Sequence, residues 1–179
     1  MRIVQIVMVL MLFLAIHADA QKATSGVPNQ SDSLGRKQGL WIEEDGLKEV
    51  YYLDGVKDGI YRAYYKKNHR LESFGEFSKG TPSGTWYYFD ETGYLILSQR
   101  QIQANSSLKV KRDDGQFIVP RLKSHVRIYH KNGQLCREGI ALFDEDIQVD
   151  YFMFGSWKYY DSEGKLLSEE HYKEGKVAF

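Results

Sequence analysis

Residues 155–175 have the sequence Gly155-Ser-Trp-Lys-Tyr-Tyr-Asp-Ser-Glu-Gly-Lys-Leu-Leu-Ser-Glu-Glu-His-Tyr-Lys-Glu-Gly175. This stretch predicts one β-hairpin: a strand that begins at Gly-x-Trp, a tight Asp-Ser-Glu-Gly turn, a second strand over residues 166–172 and a closing glycine. The turn glycine supplies the positive φ that a hairpin corner needs and that a Cβ atom would hinder. Earlier parts of the chain repeat this pattern with variations, so the hairpin is the unit from which we predict the fold.

Four earlier segments align with this hairpin. Three of them begin with Gly-x-Trp or Gly-x-Tyr, whereas the fourth is degraded, because Ser124 and Val126 hold the positions of the glycine and the ring. Counting back from the turn glycine fixes this alignment, since Gly133 to Val126 is the same step as Gly93 to Trp86. The residues that define the repeat are Gly39, Trp41, Gly59, Tyr61, Gly84, Trp86, Gly93, Gly133, Gly155, Trp157, Gly164 and Gly175.

A repeat of this kind predicts the architecture. A period of about 20 to 25 residues indicates a stacked array in which each unit buries its face on its neighbours. We therefore expect an all-β fold over residues 35–179, an elongated antiparallel meander of about five stacked β-hairpin repeats. Two irregular insertions, at about 98–123 and 143–154, interrupt the predicted array.

Alternation along the strands places aromatic rings on both faces of the predicted sheet. Trp86 and Tyr88 share one face, and the residues that alternate with them share the other. The returning strands carry small residues near their leucines: Ser73 and Gly75 in the second unit, and Ser168 in the fifth. We expect these hollows to receive the tryptophan or tyrosine ring of an adjacent unit.

The first insertion, 98–123, contains a basic cluster of Lys109, Lys111 and Arg112. Such a cluster either contacts an acidic partner or forms a solvated loop or edge-strand gatekeeper, and the sequence favours the solvated loop. Asn105-Ser-Ser fits a glycosylation acceptor, which has meaning only in a eukaryotic secretory pathway. The second insertion, 143–154, is acidic but lacks the ligand spacing and glycine bend of a calcium loop, which favours a solvated acidic loop.

The first residues predict a signal peptide over 1–20. Arg2 forms a short positive region, an apolar run follows over 3–16, and Ala18-Asp-Ala20 fits a cleavage site. The apolar run is short for a membrane span, although an uncleaved anchor is the alternative. We expect cleavage before Gln21, no stable membrane insertion afterwards, and a periplasmic, outer-envelope or secreted protein. Residues 21–34 are polar and aperiodic and predict a flexible leader.

Charge and cysteine content restrict the partners and the chemistry. The 179-residue chain has a formal net charge of zero, so it lacks the basic field that nucleic-acid binding normally needs. Its one cysteine, Cys136, excludes an internal disulfide. Cys136 is a candidate nucleophile or metal ligand, but the sequence favours the interpretation that it is a small apolar residue of a strand.

The sequence predicts no catalytic, cofactor-binding or metal site. It contains no phosphate loop, zinc-protease helix, nucleophile elbow or paired-cysteine spacing. His125 and His130 are separated by an odd step, which puts them on opposite faces of a straight strand. Glu169 and Glu170 are adjacent and also point oppositely, so they do not form an acid–base pair. We therefore expect that the protein is not an enzyme and uses no cofactor.

The motifs Gly84-x-Trp-x-x-Phe-x-x-x-Gly-x-Leu and Gly155-x-Trp-x-x-Tyr-x-x-x-Gly-x-Leu resemble the MORN-repeat variant of bacterial exported and antitoxin-like proteins. The resemblance covers residues from about 35 to 97 and 124 to 177. It implies an elongated antiparallel sheet of hairpins. It also implies either a toxin–antitoxin role or a scaffold that contacts proteins or membranes.

These observations are compatible with four functions. The leading one is a non-enzymatic protein-binding scaffold of the cell envelope or extracellular space, because tyrosine and tryptophan give large contact area at low entropic cost. The alternatives are an antitoxin or immunity protein that neutralises a toxin, and a glycan-binding module that stacks exposed rings on sugars. An enzyme ranks last, because repeated hairpins seldom form a pocket with convergent polar groups. The expected partner is another protein, and the oligomeric state stays open.

Overall fold

A computed structural model describes residues 26–148 and 150–177 of the chain. The predicted signal peptide and the first residues of the predicted leader lie outside these ranges. The strands are Gln30–Ser31 (β1), Lys37–Glu43 (β2), Lys48–Leu53 (β3), Val56–Tyr64 (β4), Leu71–Ser78 (β5), Thr81–Phe89 (β6), Leu95–Ala104 (β7), Val110–Lys111 (β8), Phe117–Ile118 (β9), Leu122–Tyr129 (β10), Leu135–Phe143 (β11), Phe152–Tyr160 (β12), Leu166–Lys173 (β13) and Lys176–Val177 (β14).

The strands form a meander. Twelve of them lie in one antiparallel sheet in chain order, and β8 and β9 form a separate hairpin. The five predicted units correspond to β2–β3, β4–β5, β6–β7, β10–β11 and β12–β13. The expected all-β meander of repeated hairpins is therefore confirmed.

The turns within the third, fourth and fifth units share one hydrogen-bond pattern. At the third unit, the amide of Gly93 donates to the carbonyl of Asp90 (2.9 Å) and the amide of Asp90 donates to the carbonyl of Tyr94 (2.9 Å). The Asp90 carboxylate accepts from the Thr92 hydroxyl (2.6 Å) and from the amides of Tyr94 and Thr92, and these bonds, the hydroxyl first, hold its pKa below the usual value. Gly93 has a φ of +93°, which explains the glycine that ends each of these turns.

The Gly-x-Trp motif forms a bulge in the sheet. Between the pairs Phe74↔Tyr87 and Glu76↔Ser83, three residues from Gly84 to Trp86 face the single residue Gly75. The fifth unit repeats this geometry, since residues 155–157 face Gly139. The first glycine of each motif has positive φ, +65° at Gly84 and +66° at Gly155, so the glycine is needed for the bulge. The bulge places the tryptophan ring on the glycine of the preceding strand, Gly75 or Gly139.

The core of the molecule lies on one face of the sheet, which we call the front face. It carries Trp86, Val126 and Trp157, whose exposed fractions are 6%, 0% and 0%. Ile147 of the second insertion joins the same cluster, so that insertion folds over this face. The first insertion packs elsewhere: the amide of Lys111 donates to the carbonyl of Glu174 (2.9 Å), beside the last hairpin.

Both insertions are shorter than the sequence indicated. Strand β7 continues to Ala104 and pairs with β10, with Leu122 opposite Ala104, so the first interruption spans 105–121 rather than 98–123. Strands β11 and β12 likewise reduce the second interruption to 144–151, against the expected 143–154. The polar segment Gln99–Gln103 concealed this extension, because it lacks the apolar alternation by which a strand is recognised.

The predicted leader also contains ordered structure. Strand β1 pairs with β2, with Gln30 opposite Gln38 and Ser31 opposite Lys37. A turn follows in which the Asp32 carboxylate accepts the amides of Leu34 and Arg36. The bond from the Arg36 amide is the main cause that lowers the pKa of Asp32 to about 2. The sheet therefore begins before residue 35, where we expected the repeat domain to start, because β1 adds an edge strand to the first unit.

Candidate interaction surface

Each tryptophan of the repeat is anchored on the strand that precedes it. The ring of Trp86 lies on Gly75, where an added Cβ would be only 2.2 Å from the ring atom Cδ2. The ring of Trp157 lies on Gly139 in the same way, at 2.5 Å. Their indole N–H groups donate to the backbone carbonyls just beyond these glycines, at 3.2 Å to Glu76 and 2.9 Å to Ile140. This is the packing that the sequence predicted for Gly75, and Gly139 is its counterpart in the fourth unit.

The degraded fourth unit uses a different pair. Val126 lies directly opposite Gln99, which occupies the position that Gly75 has in the second unit. The Gln99 side-chain amide donates to the hydroxyl of Tyr88 (2.7 Å), and the Ser124 hydroxyl donates to the Gln99 side-chain carbonyl (3.2 Å). Tyr88, Gln99 and Ser124 are 4%, 4% and 2% exposed, so a buried polar chain fills the space of a ring.

The first two units leave their front-face rings half-buried. We call Trp41, Tyr52, Tyr61 and Phe77 the aromatic patch. Its rings meet edge to face, with centroids 6.2 Å apart for Trp41 and Tyr52 and 5.7 Å apart for Tyr61 and Phe77. The Trp41 indole N–H donates to the carbonyl of Gln30 (3.1 Å), so strand β1 holds the outermost ring. These contacts fix the orientation of a partly exposed aromatic surface.

Two lysines lie over the rings of the patch. The ammonium of Lys37 is 4.4 Å from the ring centre of Trp41 and 4.6 Å from that of Tyr52, and it pairs with the carboxylate of Glu43. The ammonium of Lys57 is 5.0 Å from the ring centre of Phe77. These distances are those of cation–π contacts.

Electrostatics keep the Lys37–Glu43 pair charged. The hydrogen bond to Glu43 raises the pKa of Lys37, an effect that outweighs the opposite influence of burial. Burial by itself would raise the pKa of Glu43, but hydrogen bonds from Lys37 and Tyr52 overcome it and the pKa is lowered. At neutral pH the Lys37–Glu43 pair therefore presents one positive and one negative charge beside the rings of the patch.

The opposite, or back, face carries a row of charged and aromatic side chains in continuous register. The row is Glu49, Arg62, Phe74, Tyr87, Ser98, Arg127, Glu138, Lys158 and Glu169. Arg62 pairs with Glu49 at 2.7 Å and Arg127 with Glu138 at 3.0 Å. Phe74 and Tyr87 stack with their centroids 6.3 Å apart. Four of the six charged residues of this row thus form ion pairs within the sheet.

His125 is the histidine with the most distinctive surroundings. Its Nε2 lies 3.9 Å from the carboxylate of Glu138, while its Nδ1 is buried without a hydrogen-bond partner among the described residues. Burial lowers the pKa of His125, and the Glu138 charge opposes this effect. The charges of Arg100 and Arg127 lower the pKa further. The surroundings of His125 therefore favour its neutral form.

The other candidate groups are dispersed. The ring of His130 bonds to the carbonyl of Tyr160 (3.0 Å), and His171 is exposed on β13. Cys136 is half-buried and has a free thiol. Glu169 lies opposite Lys158, whereas Glu170 lies opposite Trp157 on the other face. Within residues 26–148 and 150–177, no group of three His, Cys, Asp or Glu side chains is placed to hold a metal ion.

Sequence reasoning missed the two lysines and the Gln99 chain. A signal for the lysines exists, because Lys37 and Lys57 each stand two residues before the glycine of a Gly-x-aromatic motif. Gln99 could have been found by counting, since Leu95 to Gln99 is the same step as Leu71 to Gly75.

Comparisons of the chain with protein-family models, with curated proteins and with solved structures found no match. In the part of the chain that the structure describes, no helix has the length and apolarity to cross a membrane.

Proposed function

We propose that this protein is a non-enzymatic protein-binding scaffold of the MORN-variant type, and that the aromatic patch is its docking surface. The observation that carries the proposal is the difference in coverage along the front face. Trp86 and Trp157 are buried in a cluster that includes Ile147 of the second insertion, whereas Trp41 and Tyr61 stay half-exposed.

The chemistry of the patch supports a protein partner. Aromatic side chains are enriched at the centres of protein interfaces, where they bury large area at low entropic cost. Here their orientations are fixed before binding by ring–ring contacts and by the Trp41 hydrogen bond, which lowers the cost of association. Lys37 and Glu43 add charges at the same place that would select among partners.

The lysines disfavour a sugar as the ligand. Sugar rings stack on the open faces of aromatic side chains. The ammonium of Lys37 occupies a face of Trp41 and Tyr52, and that of Lys57 occupies a face of Phe77. A protein partner can instead contact the lysines and the ring edges together.

The site of action proposed is the cell envelope or the extracellular space, as the predicted signal peptide at residues 1–20 implies. The resemblance to antitoxin-like proteins bears on the identity of the partner, which could be a toxin. Both points are tested by finding what binds the patch.

Site-specific photo-crosslinking tests the proposal. A photoreactive phenylalanine analogue replaces Tyr52 in the patch or, as a matched control, Tyr87 on the back face. After irradiation of producing cells, crosslinked material from the envelope and the medium is identified by mass spectrometry. We expect one dominant protein from position 52 and little from position 87. Protein capture from position 87 alone, no protein from position 52, or retention on cell-wall polysaccharide would each contradict the proposal.

A further inference from the structure

The lysine that covers the rings in the first two units is missing from the third. Lys37 and Lys57 stand two residues before Gly39 and Gly59, and each lies over the aromatic residue two places after that glycine. The corresponding residue in the third unit is Pro82, two places before its glycine. Proline has no charge, so the third unit has rings without its own cation.

A hollow of about 90 Å³ lies at this position on the front face. Its lining includes Pro82 and four aromatic residues, Tyr61, Trp86, Tyr88 and Phe143. The Trp86 ring lies 5.3 Å from that of Tyr61 and 6.4 Å from that of Tyr88, so the rings form a continuous aromatic floor. The hollow adjoins the aromatic patch, because Tyr61 belongs to both.

Two carboxylates from the second insertion complete the hollow. Glu145 and Asp146 line its rim. Arg121 lies 3.3 Å from Glu145, while in the described part of the chain no basic group pairs with Asp146 within 4 Å. Burial first and the Asp146 charge next raise the pKa of Tyr61 to about 12, which places that charge near the rings.

Aromatic faces together with a carboxylate form the surroundings that an alkylammonium group prefers. Lys37 shows that this chain uses the same combination: its ammonium lies over two rings and pairs with a glutamate. In the first unit the cation is supplied in cis, whereas in the third unit Pro82 holds the corresponding position and Glu145 and Asp146 line the adjoining hollow.

We propose that this hollow binds the side-chain ammonium of a lysine on the partner protein. The inference rests on the proposed protein-binding function and names the group that the partner inserts. The lysine enters beside Pro82, lies against Trp86 and Tyr61, and pairs with Asp146. A basic residue in the partner interface would then fix the position of the partner relative to the aromatic patch.

The test uses n-butylammonium chloride as a model of the lysine side chain. The chain without residues 1–20 is labelled with ¹⁵N, and the indole N–H signals of Trp41, Trp86 and Trp157 are followed by NMR during titration. Butanol is the uncharged control, and sodium chloride at equal concentration controls for ionic strength. We expect a saturable shift of the Trp86 signal with a Kd on the order of 10 mM, and no saturable shift of the Trp157 signal.

Three variants locate the site. Asp146→Asn should weaken binding roughly fivefold, since it removes a carboxylate at the rim. Pro82→Lys places a lysine in cis as in the first two units, and it should abolish the Trp86 response. Glu163→Gln removes a carboxylate at the distant β12–β13 turn and should leave binding unchanged. The Trp157 indole signal reports in each variant whether the fold is intact, and if Pro82→Lys fails to fold, the comparison of the other two decides.

The inference is wrong if the Trp86 signal shows no saturable shift, if butanol acts like butylammonium, or if folded Asp146→Asn binds as the unmodified protein does. These outcomes leave the photo-crosslinking from position 52 unaffected, so they separate failure of the lysine site from failure of the scaffold proposal. Butylammonium binding without any protein crosslink would instead overturn the scaffold proposal and the protein source of the ammonium, and would leave only the cation site.

Discussion

Three of the four junctions between neighbouring units of this sheet are closed in two ways. At the second–third and fourth–fifth junctions a tryptophan ring lies on a glycine, Trp86 on Gly75 and Trp157 on Gly139. At the third–fourth junction the larger residue is on the earlier strand: Gln99 of β7 lies opposite Val126 of β10. All three junctions are buried. A junction is therefore specified by the pair of residues that meet there, since a large residue on either strand fills the space when its neighbour is small.

The two kinds of junction differ in how they satisfy polar groups. At a tryptophan junction the indole N–H donates to the backbone, at 3.2 Å to Glu76 and 2.9 Å to Ile140. At the third–fourth junction a side-chain amide connects the Tyr88 hydroxyl with the Ser124 hydroxyl. The first kind depends on ring volume and the second on hydrogen bonds, so substitutions should affect them by different mechanisms.

Loss of the buried indole should have the largest effect. Trp157→Ala leaves a cavity at a residue that is 0% exposed, and we expect it to lower the free energy of unfolding by about 3–5 kcal/mol. Denaturant unfolding followed by circular dichroism measures the change. Trp41→Ala is the matched control, because Trp41 is half-buried and its loss should cost less. Equal losses for the two variants would show that burial does not set the contribution of the ring.

Adding one methyl group at a tryptophan junction should have the next largest effect. Gly139→Ala puts a Cβ 2.5 Å from the Trp157 ring, and we expect a loss of about 3 kcal/mol, because the ring has to leave its position. The control is Gly26→Ala, where an added Cβ meets nothing within 4 Å. In the double variant with Trp157→Val the two losses should be less than additive, because valine leaves room for the methyl group. Strict additivity would contradict the pairwise account.

The features that the sequence predicted are those that local spacing determines. The turn glycines, the hairpins and the placement of Trp86 on Gly75 follow from residue type and repeat step. Strand β1 and the extension of β7 were missed, because Gln30 and Gln103 are polar and gain a strand conformation only by pairing with a neighbour. The covering of the front face by Ile147 depends on a long-range contact, for which the sequence of the second insertion gives no periodic signal.

The polar junction should respond to a change that keeps its volume. Gln99→Met preserves the shape of the side chain but leaves the hydroxyls of Tyr88 and Ser124 without their buried partner. We expect a loss of about 1–2 kcal/mol in the free energy of unfolding. Gln103→Met on the exposed part of the same strand is the matched control and should cost little. A loss below that of the control would show that the hydrogen bonds of Gln99 do not stabilise this junction.

The smallest effect concerns His125, the middle residue of the degraded Gly-x-Trp motif. Its folded pKa is lowered, by burial first and by Arg100 and Arg127 next, against an opposing pull from Glu138. In the unfolded chain the pKa of this histidine is near 6.5. As the pH falls through this value, the unfolded chain therefore binds a proton at a higher pH than the folded chain does. The contribution of His125 to the free energy of unfolding should therefore be constant above this value and decrease as the pH falls through the window just below it.

Unfolding by denaturant at intervals between pH 7.5 and 5 measures this dependence. His125→Gln should flatten the curve in that window, since no proton is then taken up at this position on unfolding. His171→Gln, on the exposed strand β13, is the control and should keep the curve of the unmodified protein. A curve that keeps its slope in His125→Gln would assign the pH dependence to another group. Because the tryptophan junctions have no titratable side chain at the corresponding position, Thr85 or Ser156, such a slope would be a property of the degraded unit alone.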